Sequence, residues 1–159
     1  MAKKPQREKA HWLPTRKEID EYYKTHRSQF NAPERVRIAH IIRNVNEASD
    51  RETARQLIEE AERLLAEGRA FEEVASSYSD CPNASELGWF ARGVMVEEFD
   101  DVVFNLSVGA QSPIFETRFG FHIVRLLEKR PPGIQSLGEV YYWIEDHLFA
   151  QRRGLKELP

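Results

Sequence analysis

Apolar residues recur along this chain with two different periods, and the period separates strands from helices. The apolar-rich residues 34–43 predict a strand, whose period of two places His40 on one face together with Val36, Ile38 and Ile42. Shorter apolar runs predict three further strands, at residues 87–90, 112–117 and 121–127. His122 lies in the last of these strands, on the face that carries Val124 and Leu126.

Apolar residues spaced three and four apart predict five helices. Capping boxes of the form Ser/Thr-x-x-Glu predict that three of them begin at Thr15, Ser49 and Ser136. Two shorter helices are predicted over residues 71–78 and 97–106. The element order is a helix, then β-α-α-β-α-β-β, then a helix, which predicts an α+β domain with a mainly antiparallel sheet.

This order divides the chain into four segments. Residues 1–14 form a basic tail that is predicted to be disordered, and residues 15–33 form an N-terminal helix. Residues 34–130 hold the sheet and its helices, and residues 131–159 hold the C-terminal helix. Both outer helices carry an apolar stripe too wide to leave in water, so we expect them to pack together.

Composition narrows the functional classes. The chain has 159 residues, 41% of them hydrophobic and 31% charged, and its net charge of −3 gives no reason to expect a nucleic-acid partner. A single cysteine excludes internal disulfides. No apolar run is long enough for a membrane helix, and the basic N-terminus lacks the apolar segment of a signal peptide. We therefore expect a cytoplasmic monomer, or an extracytoplasmic protein if the chain is a fragment of a longer precursor.

The candidate chemistry centres on residues 81–99, which begin with the only thiol and continue into an apolar run. His40 and His122 lie in apolar strands, where unpaired ring nitrogens are costly. Three chemistries use such a set. Cys81 could be a nucleophile oriented by His40, or it could bind zinc together with both histidines, although the ligand spacing matches no known zinc motif. The third chemistry is non-covalent catalysis in an apolar pocket.

Four motifs in the chain resemble, in the same order, the signatures of the parvulin-type peptidyl-prolyl cis-trans isomerases. They are V-R-I-A-H-I-I at 36–42, F-E-E-V-A-S-S-Y-S-D-C-P at 71–82, L-G-W-F-A-R-G-V-M-V-E-E-F at 87–99 and F-G-F-H-I-V at 119–124. The resemblance implies a four-stranded, mainly antiparallel sheet surrounded by helices. It also implies isomerisation of X-Pro bonds without a cofactor or metal, with unfolded or proline-containing polypeptides as substrates.

The resemblance also implies roles for individual residues. His40 and His122 match the paired histidines of the family, and Cys81 stands where the family has Cys or Asp. These three are the expected catalytic residues. The expected substrate-binding residues are Leu87, Phe90, Met95, Phe99, Thr117 and Phe119.

Two departures from the family pattern bear on function. Ala84, Ser85 and Glu86 replace the usual glycine pair in a shortened loop, which favours a non-catalytic holdase as the alternative function. Residues 44–50 contain no basic cluster, so we expect no specificity for phosphorylated substrates. A thiol hydrolase remains a third and weaker interpretation. The flanking helices resemble those of bacterial SurA-, PrsA- and PpiD-like foldases, in which such helices belong to a chaperone domain.

Overall fold

The computed structural model describes residues 13–81 and 86–154. The predicted disordered tail and the shortened loop after Cys81 fall largely outside these residues. The elements in chain order are α1 (Arg16–Thr25), a 3-10 turn (Arg27–Phe30), β1 (Asn31–Ala32), β2 (Arg35–Asn44), α2 (Arg51–Ala66), α3 (Phe71–Tyr78), β3 (Glu86–Ala91), α4 (Glu97–Val103), β4 (Phe115–Thr117), β5 (Gly120–Arg130), β6 (Gly133–Ile134) and α5 (Leu137–Arg152).

Backbone contacts group these elements into two units, residues 33–131 and the remainder. In the first unit, β2, β3, β4 and β5 form an antiparallel sheet with the strand order β3-β2-β5-β4. The long strands β2 and β5 pair over almost their whole length, from Arg35 opposite Arg130 to Asn44 opposite Gly120. The α+β class and the four-stranded antiparallel sheet that we predicted are therefore confirmed.

Alternation along the two central strands sends apolar side chains to both faces of the sheet. Ala39 and Ile41 of β2 and Ile123 of β5 pack with α2 and α3 in one buried cluster. Val36 and Ile38 of β2, with their neighbours on β5, form a second cluster with α4. Both faces of β2 and β5 are covered, so a histidine on either strand lies inside the protein.

The second unit is a helix pair closed by a short ribbon. Helices α1 and α5 bury a cluster of four residues, namely Ile19, Phe30, Val140 and Ile144. The Arg152 guanidinium pairs with the Glu18 carboxylate, and the Tyr23 hydroxyl donates to the Gln135 carbonyl at 2.6 Å. The two-residue strands β1 and β6 pair antiparallel in the same unit. The expected packing of the two outer helices against each other is therefore present.

Several predicted boundaries are wrong, and the structure gives the reasons. Helix α2 is capped by Asp50, whose carboxylate accepts from the Thr53 backbone N–H at 3.0 Å, and not by Ser49. The strand predicted at residues 112–117 is reduced to β4, because Pro113 has no N–H to donate to a ladder. Helix α4 stops at Val103, and the Asn105 side chain donates to the Asp101 carbonyl at 2.6 Å just beyond its end. The capping boxes at Thr15 and Ser136 are confirmed.

Candidate active site

A cavity of about 510 Å³ opens on the sheet face that carries α4. Its lining is mainly apolar and contains eight of the nine residues that we predicted for the site. Within the part of the chain that the structure describes, the lining consists of His40, Ile42, Cys81, Leu87, Val94, Met95, Val96, Phe99, Thr117, Arg118, Phe119 and His122. The residues come from β2, β3, α4, β4, β5 and the connections between them, so only the tertiary fold brings them together.

The pairing of β2 with β5 places the two histidines on one face of the sheet. Ile42 stands opposite His122, and His40 stands opposite Val124, so the histidines are diagonal neighbours across the two strands. Only 8% of the His40 surface and 4% of the His122 surface is exposed. Both imidazoles therefore lie on one face of the sheet, on the wall of the cavity.

His122 is enclosed by aromatic rings and bonded to a hydroxyl. Its ring stacks on Phe115 at 5.2 Å between centroids and meets the edge of Phe99 at 5.5 Å. Its Nε2 atom lies 2.7 Å from Thr117 Oγ1, which also accepts from the Phe119 backbone N–H at 3.2 Å. Burial, with a smaller contribution from His40, lowers the pKa of His122 to about 4. The imidazole is therefore neutral at pH 7.

The Cys81 thiol is held at the cavity by hydrogen bonds that join the end of α3 to β2. The Ser79 hydroxyl accepts from the backbone N–H groups of both Cys81 and Ile42, each at 3.2 Å. The Asp80 N–H donates to the Ile42 carbonyl at 2.8 Å, and its carboxylate accepts from the Asn44 N–H at 2.6 Å. Cys81 itself is exposed, so it is not the small buried hydrophobe that a lone cysteine often is.

Leu87, Met95 and Phe99 form the apolar wall of the cavity. The turn that precedes Met95 is fixed by the buried Asp100, whose Oδ2 accepts from the Gly93 backbone N–H at 2.8 Å. Asp100 was not predicted to have a structural role. In the sequence it looks like an ordinary charged residue between the apolar positions of α4.

Phe90 is the one predicted site residue that is not part of the cavity lining. It is 7% exposed, and its ring lies 6.3 Å from the ring of Phe99 and 6.1 Å from that of Phe104. Its position supports the wall residue Phe99 from within the core.

Four lining residues were not predicted: Ile42, Val94, Val96 and Arg118. The signals that could have identified them were weak. Ile42 follows His40 by two residues on the same face, and the two valines flank Met95 in sequence. Arg118 stands between Thr117 and Phe119, which were both predicted, but its charge argued against an apolar pocket.

The geometry bears on the three chemistries left open by the sequence. Across residues 13–81 and 86–154, no group of three or more His, Cys, Asp or Glu side chains is arranged to hold a metal ion, so the zinc hypothesis gains no support. Cys81 and His40 line the same cavity, as both the covalent and the non-covalent hypotheses require. The mainly apolar lining favours the non-covalent chemistry.

A family model described as a rotamase, the PPIC-type PPIase domain, matches residues 40–128, which is more than half of the chain. The chain belongs to the PPIC-type peptidyl-prolyl isomerase family. The predicted membership of the parvulin-type isomerases is therefore confirmed. The matched range includes all twelve lining residues named above.

Relatives of this isomerase domain include proteins described as foldases and chaperones. Foldase protein PrsA of Geobacillus sp. (strain WCH70) is 34% identical over 72% of this chain and 38% of its own length. Chaperone SurA of Alcanivorax borkumensis is 37% identical over 62% of this chain and 24% of its own length. A putative peptidyl-prolyl cis-trans isomerase NifM of Azotobacter chroococcum is 34% identical over 86% of this chain and 49% of its own length. The chain thus spans half or less of these relatives.

Solved structures give the same result for the fold. A PpiC-type peptidyl-prolyl cis-trans isomerase domain matches with a TM-score of 0.57 and 25% identity over 62% of this chain and 94% of its own. PrsA from Bacillus subtilis matches with a TM-score of 0.53 and 26% identity over 84% of this chain and 46% of its own.

The relatives described as PrsA and SurA do not support the expected cytoplasmic location. No helix in the described part of the chain is long and apolar enough to span a membrane.

Proposed function

We propose that this chain catalyses cis-trans isomerisation of X-Pro bonds in unfolded or partly folded polypeptides, without a covalent intermediate. The observation that carries the proposal is the combination, in one cavity, of two histidines, a thiol and an apolar wall within the range matched by the isomerase family. The proposed catalytic residues are His40, Cys81 and His122.

The mechanism follows from the chemistry of the amide bond. Resonance opposes rotation about the C–N bond with a barrier of about 20 kcal/mol, so uncatalysed isomerisation takes tens of seconds. Rotation breaks no bond and therefore requires no nucleophile. An enzyme accelerates it by fitting the twisted amide better than either planar form.

In this cavity, Leu87, Met95 and Phe99 would hold the proline ring by apolar contact. The neutral imidazole of His122, fixed by the Thr117 hydroxyl, would face the substrate without adding a charge to the pocket. A twisted amide has lost part of its resonance, so its carbonyl oxygen carries less negative charge than in the planar form. A site without a strong cation at that oxygen does not stabilise the planar ground state and thus favours rotation.

We further propose that the residue before proline is apolar or aromatic. The exposed side chains of Val94 and Phe119 lie at the cavity and would cover such a residue with apolar surface. Specificity for a phosphate would need several cations. Two nearby arginines are already engaged, since Arg43 pairs with Asp80 and Arg51 pairs with Glu116.

A proton NMR exchange assay on short Phe-Pro, Ala-Pro, Glu-Pro and phosphoserine-Pro peptides tests the proposal without a coupled protease. We expect micromolar protein to accelerate isomerisation of the Phe-Pro and Ala-Pro peptides most. If the folded protein does not accelerate isomerisation of any peptide, the proposed enzyme function is wrong. A preference for the phosphorylated peptide would contradict the proposed specificity but not the activity.

A holdase that binds unfolded chains without isomerising them is the second candidate. The replacement of the family's glycine pair favours it, as do Tyr142 and Trp143 on α5, which are 76% and 53% exposed. Suppression of aggregation of a denatured client that lacks proline would measure this function alone. We expect Tyr142→Ser to weaken the suppression and to leave peptide isomerisation unchanged.

We also propose that residues 34–130 form the isomerase domain, flanked by the N-terminal helix at residues 15–33 and the C-terminal helix at residues 131–159. An extracytoplasmic location within a longer foldase fits relatives described as PrsA and SurA better than a cytoplasmic one does. A monomeric state remains our expectation, which light scattering would check.

A further inference from the structure

Among the described residues that line the isomerase cavity, Arg118 is the only cation. It lies between Thr117, which bonds to His122, and the half-exposed Phe119. The Arg118 guanidinium carbon lies 4.8 Å from the centroid of the Phe119 ring. This contact leaves the charge itself without an anionic partner.

Most other arginines of the same unit have such a partner. Arg37 pairs with Glu86 and Glu128, and Arg43, Arg51, Arg55, Arg63 and Arg69 each pair with an acidic side chain. Within residues 13–81 and 86–154, no carboxylate lies within ion-pair distance of Arg118. The protein therefore presents one arginine without a carboxylate partner at the edge of its substrate site, whereas most other arginines of the unit are paired.

We propose that Arg118 determines substrate choice by binding a carboxylate of the polypeptide near the target proline. This inference rests on the proposed isomerase function. The apolar surface of Val94 and Phe119 is expected to take the residue directly before proline. The long Arg118 side chain would therefore reach a neighbouring residue, so the substrate class is an X-Pro segment with an apolar X and a flanking Asp or Glu.

The net charge of the unit acts against an acidic substrate. Residues 34–130 carry 18 acidic and 12 basic side chains, a net charge of about −6, so the field of the unit repels an acidic peptide. Any preference for an acidic substrate residue must therefore come from direct contact with Arg118 and not from the net charge of the unit. A single exposed arginine contributes a modest, salt-sensitive attraction, which corresponds to about a two- to fivefold change in kcat/KM.

The test is a scan of Ala-Ala-Phe-Pro-Ala-Ala, with Glu placed singly two residues before proline, one after it or two after it. Glutamine at the same position is the uncharged reference for each peptide. We expect the wild-type protein to prefer Glu over Gln about two- to fivefold in kcat/KM at one or more positions, at low salt. The preference should decline towards unity near 0.5 M salt.

Three variants separate a specific contact from a structural or whole-molecule effect. Arg118→Gln should abolish the preference, Arg118→Glu should invert it, and Arg118→Lys should retain part of it. The ratio of Glu to Gln peptide is taken within each variant, so a change in activity on the uncharged peptides cancels. Arg55→Gln is the matched control, because it removes the same charge from α2, on the opposite face of the sheet from the cavity. It should retain the wild-type preference.

The outcomes distinguish this inference from the function on which it rests. If the wild-type protein fails to isomerise even the uncharged peptide, the proposed function is lost. If it isomerises that peptide but shows no Arg118-dependent preference for Glu at any position, only the role of Arg118 is overturned. A phosphoserine peptide belongs in the same scan, and a gain there far above that for Glu would assign the site to phosphate rather than to carboxylate.

Discussion

His122 couples the stability of the protein to pH, because its pKa is about 4 when folded and near 6.5 when exposed. The unfolded chain therefore binds more protons between these values, and stability falls as the pH is lowered through this window. Between pH 7 and pH 5 the loss amounts to about 2 kcal/mol. Carboxylates with lowered pKa values, such as Glu116, add their own losses mainly below this range.

Urea denaturation at pH 7 and pH 5 measures this loss directly. His122→Gln has no titrating imidazole, so its stability should change by about 2 kcal/mol less than that of the wild type over the same range. An equal change in both proteins would show that the folded imidazole titrates normally. Isomerase activity should persist to pH 5, because the neutral imidazole is still the main form.

Cys81 offers a test of covalent against non-covalent catalysis. If the side chain tunes the polarity of the cavity, Cys81→Asp should retain appreciable kcat/KM, and Cys81→Ala should lose more. If Cys81 were a nucleophile, both substitutions would abolish the activity. The exposure of the thiol makes each replacement structurally mild, so thermal melting should confirm that both variants fold. Capture of a covalent adduct with an unactivated peptide would contradict the non-covalent mechanism.

At the scale of elements, the turn from β4 to β5 depends on Gly120. Its φ of +144° is one that L side chains rarely adopt, and an added Cβ would overlap the Arg43 carbonyl oxygen and approach Val45 N to 2.9 Å. Both neighbours are backbone atoms, so neither can move independently. Because this turn connects Thr117 to His122, the close approach to β2 also positions the site.

Gly120→Ala should therefore destabilise the protein by roughly 3 kcal/mol and lower kcat/KM even where the variant is folded. Gly88→Ala is the matched control, since Gly88 lies in β3 of the same sheet and a Cβ there meets nothing within 4 Å. It should be neutral in urea denaturation. A Gly120→Ala protein with wild-type stability and activity would show that the hairpin can shift without disturbing the site.

Sequence patterns located elements better than their ends. The strand pattern identified β2 and the face that carries His40, because successive side chains of a strand point to opposite faces. It missed the extension of β5 over residues 128–130, where polar residues pair with residues 35–37 of β2. Periodicity also cannot choose between Ser49 and Asp50 as a helix cap, since both are good caps and only the chain path decides.

At the scale of the whole molecule, the candidate site could not be predicted from local sequence patterns alone. Residues as distant as His40 and His122 meet only because β2 pairs with β5, and the pattern within either strand does not specify its partner. The resemblance supplied residues that the family uses in common. It could not supply Arg118, whose position at the cavity depends on how this hairpin is built.

The pairing of α1 with α5 is a contact between segments more than a hundred residues apart, so neither helix can bury its stripe alone. Ile19 and Ile144 are completely buried in this pair, whereas Leu13 is 49% exposed. Ile19→Ala should destabilise the pair by about 2–4 kcal/mol, and Leu13→Ala by less than about 0.5 kcal/mol.

Removal of residues 1–33 tests the same pairing more severely. The deletion leaves Val140, Ile144 and the aromatic residues of α5 without their partners, and exposed apolar surface of this kind promotes association. We expect oligomers in light scattering, or loss of binding to unfolded clients if that surface collapses. A truncated protein that stays monomeric, with an unchanged melting temperature and client binding, would mean that each helix is an independent appendage. The stability loss in Ile19→Ala would then have to be local to α1.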